Sequence, residues 1–141
     1  MRPDRFGVAM TYLQGLPAFA AYFAVGLGFV ALFLAAYLQF TPHRELQLIR
    51  DGNVAAAIAL AGALLGFCLP LASAMAHSLS LVDVALWGAI AMLAQASAHG
   101  LTRLLLPAFP ARIERGEQAA AVLSATLHLG VGLINAAAMT Y

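Results

Sequence analysis

The chain has 141 residues, of which 63% are hydrophobic and 9% charged, and its formal net charge is +1. A soluble surface needs about a quarter of its residues charged, so this composition excludes a water-soluble globular domain, and the small net charge points to no nucleic-acid partner. The one cysteine, Cys68, sits inside an apolar block, so it is expected to be a buried structural thiol, with no partner for a disulfide or a metal cluster.

No residue carries a formal charge between Arg5 and Arg44, from Gly52 to Val82, from Val84 to Thr102, or from Gln118 to Tyr141. About 20 apolar residues suffice for a helix to cross the hydrocarbon core. The strand alternation of a barrel is missing, and an open sheet edge cannot satisfy its backbone in lipid. These runs predict an all-α polytopic membrane protein, a single domain over 1–141, with transmembrane helices near 16–40, 54–77, 82–103 and 118–140.

Near the N-terminus Ala18-Phe19-Ala20 mimics a signal cleavage site, but the apolar run continues for about 20 residues beyond it, which predicts a retained span. The first helix carries Phe19, Tyr22, Phe29, Phe33, Tyr37 and Phe40 toward one side, as lipid contact or core packing requires. It offers only Gln14 and Gln39, at its ends, to orient a ligand, so no cofactor is expected there. In the loop that follows, Thr41 is placed to cap a short helix with Pro42 at its first position. Leu46 and Ile49 share a face of that helix, and Gly52 supplies a left-handed stop.

The second span aligns Ala59, Gly62, Gly66, Ser73 and His77 on one face. The spacing of Gly62 and Gly66 lets two backbones approach closely, and Pro70 leaves the Gly66 carbonyl without its usual partner. Asp83 follows the short turn from Leu79 and is expected to cap the third span rather than to accept a proton. That span carries Gln95 and His99. The second charged loop repeats the first through Pro110, Ile113 and Gly116, and both loops read as interfacial amphipathic anchors with arginines toward lipid phosphates. On the last span Thr126 and Gly130 repeat the small-residue packing face. Ser124, His128 and Asn135 form a line on the opposite side, with His128 near mid-bilayer.

An offset of 64 aligns Ile49–Met75 with Ile113–Met139 with 12 identities in 27 positions, half of them alanine. Two tandem helical hairpins, about 16–77 and 82–140, are therefore expected as a parallel repeat. The equivalents of Ser124, His128 and Asn135 in the first copy are Leu60, Leu64 and Leu71, so one copy alone is polar there. Arg44, Arg50, Arg103, Arg112 and Arg115 lie in or beside the two larger loops, against Arg2 and Arg5 on the N-terminal arm. This places the loops in the cytoplasm and both termini outside.

No glycine-rich phosphate loop, HExxH, paired intramembrane carboxylates or Ser-His-Asp order is present, and no enzyme is expected. Two readings stay open. One is a non-enzymatic structural or interaction protein that packs through Gly62, Gly66, Thr126 and Gly130 with copies of itself or another membrane protein. The other is a small oligomeric channel or transporter for protons, ions or solutes, built on Gln95, His99, Ser124, His128 and Asn135, since polar groups at such depth face protein or water.

The segments TPHRELQLIRDGN at 41–53, AGALLGFCLPLASA at 61–74, WGAIAMLAQ at 87–95 and LINAAAMTY at 133–141 together resemble the YjfL-like bacterial inner-membrane family, the UPF0719-type domain of unknown function DUF350. The resemblance spans nearly the whole chain. It implies a two-span unit present twice, an inner-membrane location, and a role in membrane homeostasis or envelope stress, but no chemical activity. Gln95, Arg103 and Asn135 fit the family pattern; His128 departs from it.

Overall fold

The computed structural model describes residues 4–41 and 44–140; Arg2 and Pro42, on which two of the expectations above fall, lie outside the described residues. The described residues form six helices and no strand: α1 Arg5–Phe40, α2 Glu45–Arg50, α3 Val54–His77, α4 Leu81–Leu105, α5 Phe109–Glu114 and α6 Gln118–Ala138. Four of them, α1, α3, α4 and α6, are long and apolar enough to cross a membrane.

The first helix starts eleven residues earlier than expected. Pro17 lies inside α1 without ending it, as spanning helices tolerate. At 36 residues α1 is about 54 Å long against a hydrocarbon core of about 30 Å. Its first half, residues 5–20, is exposed on every side.

α2 and α5 are short helices of six residues, each followed by a glycine in the left-handed region, Gly52 at φ 88° and Gly116 at φ 75°. Paired bonds close both ends: Gly52 N–H to the Ile49 carbonyl at 3.0 Å and Asn53 N–H to Leu48 at 2.8 Å, then Gly116 to Ile113 at 2.9 Å and Glu117 to Arg112 at 3.0 Å. Thr41 does not cap α2 as expected. Its hydroxyl donates to the Tyr37 carbonyl at 3.0 Å and so finishes α1, while α2 begins after Arg44 with no side-chain cap.

α2 and α5 also sit differently from surface anchors. Phe109 and Ile113 are buried against Ala55, Ala56, Ala59, Ala120 and Ala121, so α5 wedges the base of α3 and α6. Arg112 clamps its own loop through Nε, 3.1 and 3.0 Å from the two oxygens of Glu117. At the other end Ser80 is the N-cap of α4, accepting from Asp83 N–H at 3.2 Å. Asp83, expected as the cap itself, lies three residues further on and reaches back to accept from Leu79 N–H at 3.3 Å.

α3 is the hub: it packs most extensively on α6 and also touches α1 and α4. α3 and α6 run in the same direction, pinned at one end by Asn53 Nδ2 donating to the Ile113 carbonyl at 2.9 Å and at the other by Ser73 Oγ donating to Ala136 at 3.2 Å. A core of Phe33, Tyr37, Ala63, Phe67, Leu71 and Met139 fills the space among the spans. Cys68 is only half-buried.

Asn53 does two jobs, since its Oδ1 also accepts from Ala56 N–H at 2.9 Å and caps α3. Asn53→Ala should lose about 1–2 kcal/mol of unfolding stability in detergent micelles. Asn53→Asp keeps the cap oxygen but not the donor to Ile113, so it should recover only part. Full recovery would show that the tie between the loops contributes nothing.

Candidate functional site

The close approach of α3 and α6 decides which side chains α6 turns inward. A Cβ built on Gly62 would overlap Ala125, one on Gly66 would overlap the His128 carbonyl, and one on Gly132 would overlap the Gly66 carbonyl. Pro70 has removed the helical partner of that Gly66 carbonyl, and the glycine at 132 is what lets it lie against α6. Two expectations are corrected here. Gly130 has nothing within 4 Å of a built Cβ, and Thr126 is exposed, its hydroxyl bonded back to Val122. Within the chain the small-residue face of α6 is Ala121, Ala125 and Gly132.

That choice buries the polar line. Ser124 is 0% and His128 1% exposed, and Asn135 is half-buried. His128 meets Gln95 of α4 twice: Gln95 Nε2 donates to the His128 carbonyl at 3.2 Å, and His128 Nδ1 lies 2.6 Å from Gln95 Oε1. A carbonyl and an amide oxygen can only accept, so these two contacts together put the imidazole proton on Nδ1. Nε2 has no partner among the described residues, nor have Ser124 Oγ and Asn135 Nδ2.

Two further groups, which sequence reasoning missed, complete the cluster. Tyr37 of α1, one turn beyond buried Phe33, stands edge-on to both imidazoles, its ring centroid 6.0 Å from that of His99 and 6.3 Å from that of His128. His99 and His128 are 6.3 Å apart between centroids. The Tyr37 hydroxyl faces Glu45 Oε1 at 3.4 Å, and Glu45, the first residue of α2, is 2% exposed. One signal could have found it: the offset of 64 pairs Glu45 with Phe109, a residue type expected to face inward.

The elements thus bring a carboxyl group, a phenol and two imidazoles together, His99 half-buried and the other three buried. Beside it a groove of about 830 Å³ opens between α1 and α4. Its walls are apolar, with Gln95, His99 and His128 at its floor and Arg103 at the end nearest α2 and α5. Among the described residues no three His, Cys, Asp or Glu side chains gather as a metal site. His77, Ser73 and Asn135 lie toward the opposite end of the bundle, His77 Nδ1 being 2.8 Å from the Ser73 carbonyl.

Residues 10–139 match the family described as Domain of Unknown Function (DUF350). The chain is 41% identical over 132 residues, 94% of its length and 100% of the relative's, to the UPF0719 inner membrane protein YjfL of Escherichia coli strain K12, and equally to that of Escherichia coli O157:H7. It is 26% identical over 120 residues, 84% of its length and 90% of the relative's, to the UPF0719 transmembrane protein YshE of Bacillus subtilis strain 168. No solved structure matches the chain.

Proposed function

The chain belongs to the DUF350 family and is a multi-pass protein of the inner membrane, and from the geometry of its polar cluster we propose that it is a non-enzymatic carrier of protons. The carrying observation is Glu45, 2% exposed, facing a phenol that in turn faces two imidazoles. Ionisable groups within a spanning helix are candidates for a functional site, and His99 and His128 are two such groups. In this reading Glu45 takes a proton at the arginine-rich end, taken as cytoplasmic from the arginine excess there. Tyr37 and His99 pass it to His128 at the midpoint of α6, and Asn135, Ser73 and His77 mark the way out.

His128 and Asn135 are seven residues apart, about 10 Å along the helix, so water must bridge that step. Closing such a path calls for several copies, and the unpartnered first half of α1 supplies a surface for assembly. The rival reading, a scaffold that packs through Gly62, Gly66, Thr126 and Gly130, has only the last two still open, because Gly62 and Gly66 are spent against α6. The tandem repeat belongs to this proposal: the offset of 64 carries α2 onto α5 and the start of α3 onto that of α6. A proton carrier also suits the role in membrane homeostasis that the resemblance implies.

The test is proton flux into proteoliposomes that hold a pH-sensitive dye, driven by a potassium diffusion potential. The parent should conduct, Glu45→Gln and His128→Leu should each lose about tenfold or more, and Leu133→Ala on the exposed side of α6 should match the parent. A parent no faster than empty liposomes, or variants as fast as the parent, would overturn the proposal.

A further inference from the structure

We infer that the groove between α1 and α4 is a binding site for one acyl chain of an anionic phospholipid, with the phosphate held by Arg103. The volume, about 830 Å³, falls within the range of about 300–1,000 Å³ usual for small-molecule sites. Phe33, Met92 and Leu93 make the wall apolar, and along α4 the lining runs from Ala89 to Arg103. Those fourteen steps span about 21 Å, against about 15 Å for the hydrocarbon of one leaflet. The groove therefore reaches from headgroup level to the bilayer midplane, the extent of a single lipid tail.

The charge at its mouth fits the other half of the same molecule. Among the described residues Arg103 is exposed, is the one arginine lining the groove, and takes part in no ion pair. Its guanidinium matches a phosphate in bidentate geometry. Small residues leave the room that a tail needs: a Cβ built on Gly100 meets nothing within 4 Å. A tail lying there would also cover the polar floor, separating Gln95, His99 and His128 from free exchange with the bilayer.

The experiment is native mass spectrometry of the purified full chain in neutral detergent, titrated with phosphatidylglycerol or phosphatidylcholine. It does not read flux, so its outcome is separate from that of the proton proposal. The parent should retain one phosphatidylglycerol per chain in preference to phosphatidylcholine. Arg103→Gln should keep a lipid but lose the headgroup preference. Gly100→Leu, which adds bulk into open groove space, should lose retention of both lipids while keeping the parent's helical circular dichroism, and Ala96→Trp should do the same from the middle of the groove. Parent-like retention in both bulky variants would overturn the inference. So would a changed oligomeric state with lipid retention unchanged, which would assign the groove to a second copy.

Discussion

Gly132→Ala is expected to lose about 3 kcal/mol of stability or to prevent accumulation of the folded protein, at the upper end of the usual cost of overpacking. The added methyl overlaps the carbonyl of Gly66, a backbone atom that cannot swing aside, so α3 and α6 must part along their main contact. Separation also pulls the His128 carbonyl off Gly66 and loosens its bond to Gln95. Gly130→Ala, two residues away and facing open space, should match the parent or gain up to about 1 kcal/mol, because alanine is the better helix former. Thermal unfolding of both variants in one detergent makes the comparison. Equal losses at 130 and 132 would remove the close approach of α3 and α6 as the reason for glycine.

Gln95→Leu keeps similar bulk but removes both partners that His128 has on α4. It leaves a buried ring N–H unsatisfied and takes a second donor from the His128 carbonyl, which keeps its helical bond within α6. An unsatisfied buried donor costs about 1–3 kcal/mol in protein interiors, while hydrogen bonds between spanning helices average about 0.6 kcal/mol, so a net loss of about 1–2 kcal/mol is expected. The sharper readout is the tautomer. In nitrogen-15 spectra of histidine-labelled protein, His128 of the parent should carry its proton on Nδ1, and Gln95→Leu should shift that population toward Nε2. A parent already protonated on Nε2 would contradict the pairing. A double-mutant cycle with His128→Leu then isolates the ring contact from the carbonyl contact.

These two sites differ in how far the sequence reveals them. Gln95 and His128 stand out because a polar side chain deep in an apolar run is conspicuous whatever it faces. Glu45 and Tyr37 do not. Glu45 reads as one more charge in a charged loop, and Tyr37 as one more aromatic on an aromatic helix. Their meeting requires α2 to fold inward against the end of α1, eight residues on from Tyr37.

What the sequence by itself determined is therefore local or compositional. The four spans follow from charge-free length, and the second starts and ends where expected, at Val54 and His77. The stops at Gly52 and Gly116 follow because a left-handed turn after a helix calls for a residue without a Cβ. Only the tertiary structure decided which face of each span is inside. It chose Gly132 over Gly130, buried Ser124 and His128, and drew Glu45 under Tyr37. The physical reason is the solvent. In water a helix shows its inner face by hydrophobicity, whereas lipid is as apolar as a protein core. A spanning helix is apolar all round, and its inner face is set by shape: where a backbone can touch another, and where a freed carbonyl finds a neighbour with no side chain.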